Sequence, residues 1–203
     1  MGPRVPAPLV GIYAPAAQSG KSTLADGLAG FGFIRLKFAG ALRTMLSSLL
    51  AYQGADQAAI ADMLDGAAKQ DPSPLLAGRS PRYAMRSLGT EWGRDQMAPD
   101  VWVRILLTKA ATHRMRGEPV VVDDMRFPNE AQAVRDAGGL TVRVTRPDLP
   151  PQAGEHPSEG GLDGWDFDLD ITNYFPDPRA FVLTWAPKVS ALSYQRAIAS
   201  GMS

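Results

Sequence analysis

The feature that most constrains the fold of this 203-residue chain is a loop of small and polar residues between a short apolar run and a helical stretch. The apolar run covers Leu9–Tyr13, and the helix is predicted over residues 21–28. The connecting loop matches the Gly-x4-Gly-Lys-Ser/Thr pattern at its second glycine, its lysine and its serine, but begins with proline: Pro15-Ala16-Ala17-Gln18-Ser19-Gly20-Lys21-Ser22-Thr23. Because the N–H groups of such a loop and of the helix N-terminus form a concave anion site, this segment predicts phosphate binding.

Two side chains of this loop have defined predicted roles. Lys21 is expected to neutralise the β- and γ-phosphates of a nucleotide, and the Ser22 hydroxyl is expected to coordinate magnesium. Pro15 has no N–H, but the cradle is made mainly by the residues that follow it. The alternative interpretation is a chance Gly-Lys-Ser-Thr string in a turn that caps a helix. The predicted nucleotide site comprises Ala16, Ala17, Gln18, Ser19, Gly20, Lys21, Ser22 and Thr23.

Short apolar stretches alternate with amphipathic ones along the rest of the chain. Strands are predicted at 33–38, 119–122, 140–144 and 168–172, and helices at 41–52, 55–68, 83–94, 101–116, 129–137 and 189–199, where Pro187 limits the last helix. This alternation predicts an α/β fold with a mostly parallel sheet. Such sheets bind ligands at the carboxyl ends of their strands.

Composition excludes several classes of protein. The chain is 45% hydrophobic and contains 21 basic and 21 acidic residues, so it is globular and its zero net charge argues against a strongly basic nucleic-acid-binding surface. It has no cysteine, which excludes disulfides, cysteine-ligated zinc and a cysteine nucleophile. No apolar run approaches the about 18 residues that span a bilayer, and no signal-peptide core is present. We therefore expect a cytoplasmic protein with no membrane partner.

A second polar cluster follows the apolar stretch at residues 119–122. Asp123 and Asp124 are metal-binding candidates, since a carboxylate at the end of a buried strand beside a phosphate loop can hold magnesium. Because neighbouring strand residues point to opposite faces, one of the two is expected to face the phosphates. The alternative is an acidic pair that begins a solvated turn. Arg126 would supply fixed positive charge for phosphoryl transfer, and Asn129 is a helix N-cap candidate.

Candidates for binding a second substrate lie upstream and downstream of this pair. Trp92 could stack on a base, while Arg94 and Asp95 could bind polar base edges or a phosphate. The alternative is a tryptophan that covers the core beside a surface Arg–Asp pair. Further candidates on helices are Arg43 and Arg86. Arg146 begins a stretch, 146–164, whose prolines, glycines and charges are typical of a lid or of an ordinary surface loop.

Three strings in this order resemble the signatures of bacteriophage-type deoxynucleoside monophosphate kinases. They are Gly89-Thr90-Glu91-Trp92-Gly93-Arg94-Asp95 with Pro99-Asp100-Val101-Trp102, then Asp124-Met125-Arg126-Phe127-Pro128-Asn129-Glu130, and His156-Pro157-Ser158-Glu159. The resemblance covers residues 9–173. It implies transfer of a phosphoryl group from ATP, with Mg²⁺, to the 5′-phosphate of a deoxynucleoside monophosphate, giving the diphosphate.

The resemblance also implies an architecture and residue roles. The fold is expected to be a P-loop NTPase of nucleoside monophosphate kinase type, three-layer α/β/α with a central parallel sheet. A single domain over 1–203 would include an acceptor-binding helical region at about 40–100 and the lid at 146–164, and a homodimer is implied. Residues 174–203 do not match the family pattern and are interpreted as an oligomer contact or a tail.

Roles within the matched strings follow the resemblance, whereas Arg43 and Arg86, on predicted helices, and Arg146, at the start of the predicted lid, are candidates by position. Asp124 matches the acid before x-Arg of the family, whereas the general strand-end pattern favours Asp123, so both stay candidates. Lys21, Asp124 and Arg126 are expected at the transfer site, and Arg146 beside the donor. The expected acceptor-binding residues are Arg43, Arg86, Trp92, Arg94, Asp95, Asn129 and Glu130.

Two other functions stay open at this point. A P-loop kinase that phosphorylates 5-hydroxymethyluracil in phage DNA would need a basic groove, for which the available residues are Arg79, Arg82, Arg86, Arg94 and Arg104. A non-catalytic nucleotide-binding regulator would need only the donor loop. The lack of an Asn-Lys-x-Asp string argues against a GTPase switch.

Overall fold

A parallel β-sheet forms the centre of the larger part of the protein. The computed structural model describes residues 5–149 and 161–201, and its five strands are β1 (Leu9–Tyr13), β2 (Ile34–Leu36), β3 (Val120–Val122), β4 (Leu140–Thr145) and β5 (Leu169–Thr172). They pair in the order β2-β3-β1-β4-β5, and every pair is parallel. The predicted α/β fold with a parallel sheet is confirmed.

Seven α-helices accompany the sheet in the described ranges. They are α1 (Lys21–Ala29), α2 (Gly40–Tyr52), α3 (Gln57–Asp65), α4 (Pro81–Ser87), α5 (Val101–Met115), α6 (Pro128–Asp136) and α7 (Pro178–Gly201). The predicted helix at 83–94 is in fact α4 followed directly by a π-helical segment, Leu88–Met97. The predicted helix at 55–68 is shorter than expected, because Asp56 caps its start and Gly66 ends α3 in an extended conformation.

The chain divides into two compact units. Unit 1 comprises Met1–Lys37 and Leu106–Ser203 and contains the whole sheet, and unit 2 comprises Phe38–Ile105 and is helical. Unit 2 has its own small core, in which Leu46 and Leu50 of α2 pack with Ile60 and Leu64 of α3. It coincides with the stretch for which an acceptor-binding role is predicted, and that role stays a prediction.

The strands form because their apolar residues are covered on both faces of the sheet. All five residues of β1 and all three of β3 are buried, the continuous apolar pattern of central parallel strands. On one face, Val10 and Val121 pack with Leu24 and Leu28 of α1. On the other face, Gly11 leaves room for Met125, whose sulfur would lie 2.5 Å from a Cβ at that position. Each fully buried aliphatic side chain contributes about 1.5–3 kcal/mol to this core.

The last helix is the clearest error of the sequence prediction. The sequence predicts a helix over residues 189–199 that begins after Pro187. In the structure, α7 runs from Pro178 to Gly201 with Pro187 inside it. Phe181 and Val189, on either side of the proline, are buried in the sheet core and stabilise the helix across it. Pro187 has no N–H to donate to the carbonyl of Leu183. Because Leu183 is exposed, water is available to that carbonyl instead. The segment is thus part of the core of unit 1 and not a tail.

No helix in the described ranges is both long enough and apolar enough to cross a membrane.

Candidate functional site

The loop between β1 and α1 has an unusual backbone that tertiary contacts hold in place. Gln18 and Gly20 both have positive φ, +63° and +104° respectively. A Cβ at Gly20 would lie 2.7 Å from the Asn173 side-chain nitrogen and 3.3 Å from the Phe181 ring. Ser19 is buried, and its hydroxyl donates to the Ala16 carbonyl at 2.8 Å. The second glycine of the phosphate-loop pattern is therefore required by both conformation and space.

Asn173 fixes this loop from the far end of the sheet. It follows β5, is buried, and donates through Nδ2 to the Ser19 carbonyl at 3.0 Å. Its Oδ1 accepts the N–H of Phe175 at 3.1 Å, which fixes the orientation of the amide. Asn173 is not among the predicted site residues, because 154 residues separate it from Ser19 and no local pattern joins them.

Asn173→Ala is therefore expected to weaken nucleotide binding through the shape of the loop. We expect the affinity for ATP to fall about tenfold, and the stability to fall by about 1–2 kcal/mol, because the Ser19 carbonyl loses a buried donor. Asn173→Asp keeps the acceptor for Phe175 but removes the donor to Ser19, so it should weaken ATP binding as well. Calorimetric titration with ATP measures the affinity of the two variants. Wild-type affinity in both of them would contradict this role of Asn173.

Among the described residues, no protein side chain caps the N-terminus of α1. Gly20 is the N-cap residue, no side chain of residues 5–149 or 161–201 accepts as a cap, and the first turn contains no acidic residue. The first intrahelical bond to the cap runs from the Leu24 N–H to the Gly20 carbonyl at 2.9 Å. The N–H groups of Lys21, Ser22 and Thr23 have no acceptor within the helix. This end of α1 therefore offers donors and positive helix-dipole potential to an anion.

Lys21 is a partly buried cation close to the charges of Arg126, Asp123 and Asp124. Its pKa lies below the ordinary value because burial disfavours the charged form and Arg126 repels it, and the attraction of Asp123 and Asp124 offsets this only in part. Lys37 adds further repulsion. In the described parts of the chain, Lys21 forms no salt bridge. Lys21 and Arg126 thus place two like charges at the uncapped end of α1, which is favourable when an anion binds there.

The structure separates the roles of the two adjacent aspartates. Asp123 is 2% exposed, and its Oδ2 lies 3.5 Å from the Ser22 hydroxyl and accepts a hydrogen bond from Arg35. Two residues upstream, Val121 faces α1 in the core, so the two-residue period of a strand directs Asp123 to the same side. Asp124 is partly exposed and close enough to Lys21 to affect its pKa. Asp123 is therefore the acid that meets the donor loop directly.

Glu130 holds the backbone that carries Arg126. Its Oε2 accepts the N–H of Arg126 at 2.7 Å and that of Phe127 at 3.2 Å, and its side chain is buried. Phe127, and not Asn129 as expected, is the N-cap of α6, because Pro128 occupies the first helical position. The Arg126 side chain itself is exposed. A direct contact of Asn129 or Glu130 with an acceptor stays a prediction.

The oxygen atoms at the donor loop fit a magnesium ion. Asp123 Oδ1 is buried and has no hydrogen-bond partner among the described residues, and the Ser22 hydroxyl lies beside the same carboxylate. Residues 5–149 and 161–201 contain no group of three or more His, Cys, Asp or Glu side chains that could hold a metal alone. Magnesium typically binds one or two protein oxygens together with substrate phosphates, so this sparse set suits it.

Unit 2 contains the tryptophan-rich strings, and part of their composition is explained by packing. Trp102 is buried, and its indole N–H donates to the Gly89 carbonyl at 2.9 Å. A Cβ at Gly93 would lie 2.4 Å from the Trp102 ring. Trp92 is 36% exposed, and its ring lies 6.1 Å from that of Trp102. Gly93 is thus needed to seat Trp102, which the Gly89 carbonyl also holds, while Trp92 keeps an exposed face.

Gly93→Ala is expected to destabilise the protein by about 1–3 kcal/mol, because the new methyl group would overlap Trp102. Gly40→Ala is the matched control, since Gly40 is also helical and lies in unit 2, but an added Cβ there would meet no atom of the described residues within 4 Å. Denaturant unfolding of the two variants measures the difference. Equal stability of both variants and the wild type would show that Trp102 does not need the glycine.

The other predicted acceptor residues lie in varied environments. Arg43 forms a bidentate salt bridge with Asp65, one of whose bonds is 2.8 Å long. Arg86 lies over the Tyr83 ring at 5.7 Å, and Arg94 and Asp95 lie on the π-helical segment. In unit 1, Arg146 directly follows β4. The string from His156 to Glu159 and most of the predicted lid fall outside the described residues.

Comparisons with known proteins identify the relatives of this chain. Residues 78–174 match the family model described as deoxynucleotide monophosphate kinase. The chain is similar to deoxynucleotide monophosphate kinases. It is 29% identical over 104 residues, 47% of its length, to the deoxynucleoside-5′-monophosphate kinase of Escherichia phage T5, of which the alignment covers 40%. It is also 29% identical over 153 residues to a protein of Acanthamoeba polyphaga mimivirus named provisionally as a deoxynucleotide monophosphate kinase, covering 70% of this chain and 75% of the other.

The predicted resemblance is thus confirmed, and the names of the matched proteins describe phosphotransferases. The chain spans less than half of the length of the phage T5 enzyme. The family match includes the strings from Gly89 to Asp95 and from Asp124 to Glu130, as well as Asn173, and it begins after the donor loop. These matches support a nucleotide kinase role.

Proposed function

We propose that this protein transfers the γ-phosphoryl group of ATP, with Mg²⁺, to the 5′-phosphate of a deoxynucleoside monophosphate, giving ADP and a deoxynucleoside diphosphate. The observation that carries the proposal is the state of Lys21. It is a partly buried cation, repelled by Arg126, at a helix N-terminus that no side chain in the described part of the chain caps. A polyphosphate relieves the repulsion and accepts hydrogen bonds from the uncapped N–H groups at the same time.

The residues of unit 1 suit phosphoryl transfer, which depends on positioning and on charge stabilisation. The loop backbone from Ala16 to Thr23 binds and orients the donor phosphates. Lys21 and Arg126 supply fixed positive charge where negative charge accumulates on the transferred group. Ser22 and Asp123 would hold magnesium, which when bound supplies further positive charge to the phosphate oxygens. Glu130 positions Arg126 through its backbone.

The acceptor is proposed from the relatives and from unit 2. The matched proteins are named for deoxynucleoside monophosphates, and the matched region contains the predicted acceptor residues from Arg86 to Asp95. Trp92 has an exposed ring face for a base, and Arg86 and Arg94 are candidates for the acceptor phosphate. We propose Arg146 as a further donor contact, and residues 146–164 as the lid.

The test is ADP release in a coupled assay with ATP and Mg²⁺ and each of the four deoxynucleoside monophosphates in turn. A parallel reaction contains an oligonucleotide with 5-hydroxymethyluracil. Turnover with at least one free monophosphate is expected. Activity on the oligonucleotide alone would show a DNA kinase instead, and ATP binding without turnover on any acceptor would show a nucleotide-binding regulator.

The viral origin of the relatives bears on where the protein works. We propose that the protein works in the cytoplasm of an infected cell, where ATP and deoxynucleotides are available. A homodimer stays a prediction from the resemblance, and sedimentation of the purified protein tests it.

A further inference from the structure

A basic side chain already pairs with the carboxylate that would hold the metal. Arg35 of β2 donates through Nη2 to Asp123 Oδ2, and its Nη1 lies 2.5 Å from Asp26 Oδ1 on α1. The Arg35 side chain is 27% exposed, whereas that of Asp123 is 2% exposed. The pair is therefore shielded at its Asp123 end, where charges interact strongly.

Arg35 provides the positive charge that pairs with the buried carboxylate of Asp123. A carboxylate in this environment is stable as an ion only when a positive charge pairs with it. The bond to Asp123 also raises the pKa of Arg35, so the guanidinium is charged under all ordinary conditions. Because it holds Oδ2, Arg35 leaves Oδ1 as the free oxygen of Asp123, and Oδ1 has no partner in the described part of the chain.

We propose that Arg35 is a positioning residue that competes with the divalent metal for Asp123, so that the metal binds strongly only together with a nucleotide. The inference rests on the proposed function, because Asp123 and Ser22 are taken as the protein ligands of the metal. Two cations beside one carboxylate repel each other, so Arg35 weakens binding of the metal alone. The phosphates of a nucleotide add the negative charge that offsets this repulsion.

The test measures Mn²⁺ binding without nucleotide, by the electron paramagnetic resonance signal of free Mn²⁺. Arg35→Gln should bind Mn²⁺ at least about tenfold more tightly than the wild type, because the competing charge is gone. Arg35→Lys keeps a charge but loses the two-pronged geometry, so its affinity should lie between the two. The double variant Arg35→Gln with Asp123→Asn should lose the gain, which shows that the metal uses Asp123.

Arg143→Gln is the matched control. Arg143 is 28% exposed and pairs with Asp170 through two bonds, so the substitution removes the same charge from a similar Arg–Asp pair. Its Mn²⁺ affinity should equal that of the wild type. A general effect of net charge would tighten binding in both variants equally and would overturn the proposal.

A second readout separates competition from a merely structural role. Metal-free Arg35→Gln should have a lower melting temperature than the wild type, and saturating Mn²⁺ should restore it, since the metal replaces the lost cation. Wild-type Mn²⁺ affinity in both Arg35 variants would overturn the proposal. If Arg35→Gln does not fold, Arg35→Lys is measured alone: tighter Mn²⁺ binding than the wild type supports the proposal, and wild-type affinity overturns it. Neither readout needs phosphoryl transfer, so failure of the kinase assay is distinguishable from failure of this inference.

Discussion

Lys21→Met is expected to abolish phosphoryl transfer while making the protein more stable. The variant removes the charge that faces the transferred phosphates, so kcat should fall by about 10³-fold or more. It also removes a cation whose pKa is lowered by burial and by Arg126, so the free energy of unfolding should rise at neutral pH. Few substitutions increase stability at the cost of activity, and this pair of effects is typical of a functional charge.

The stability gain has a defined dependence on pH. The pKa of Lys21 in the folded protein lies below its ordinary value of 10.5, so the charged lysine opposes folding at every pH below the folded pKa. That cost is relieved as the pH rises through the folded pKa towards the unfolded one. The advantage of Lys21→Met should therefore be largest at neutral pH and vanish near pH 10.5. Thermal unfolding from pH 7 to pH 10.5 measures it, and a destabilised variant would show that Lys21 supports the fold.

Asp123→Asn is expected to have the second largest effect on activity. The carboxylate lies beside the Ser22 hydroxyl and has a buried oxygen available, so its loss should lower kcat by about 10²-fold or more and raise the Mg²⁺ concentration for half-maximal rate. Asp124→Asn is the matched control, because it makes the same change one residue later and, by the strand alternation, on the other side. We expect a loss of less than about tenfold from it, through the weaker field at Lys21.

The comparison of the two asparagine variants also tests the family signature. Asp124 is the residue that matches the signature, whereas the geometry favours Asp123 as the metal ligand. A larger loss in Asp124→Asn than in Asp123→Asn would show that the carboxylates exchange roles when the nucleotide binds. Circular dichroism of both variants checks that each is folded, because Asp123→Asn weakens the pairing of Arg35, which keeps its bond to Asp26.

The elements and the donor loop could be predicted because their signals are local. The bounds of β1 were predicted as they are observed, since a fully buried strand is a continuous apolar run between a proline-rich start and a small-residue loop. The acidic pair was predicted at the end of β3 as well, but two adjacent aspartates look alike in the sequence, which does not show which of them faces the donor loop. The roles of Asp123 and Asp124 can be told apart only in the structure. Arg35 lies beside Val121 in the sheet, and the Ser22 hydroxyl lies beside Asp123.

The rest of the site depends on contacts between distant parts of the chain. Arg35 and Asp123 are 88 residues apart, and Asn173 and Ser19 are 154 apart, so no local pattern joins them. The error at Pro187 has the same origin, because packing of Phe181 and Val189 on the sheet outweighs the local preference of proline. In each case tertiary packing determined the structure, and sequence periodicity contained no sign of it.

The most direct test of the central claim is to identify the product. Wild-type protein is incubated with ATP, Mg²⁺ and the preferred deoxynucleoside monophosphate, and the mixture is followed by ³¹P NMR, with Lys21→Met as the inactive control. The account predicts that the monophosphate resonance is replaced by the two resonances of a deoxynucleoside diphosphate, in equal amount to the ADP formed. Release of inorganic phosphate with the monophosphate unchanged would contradict it and would show an ATPase.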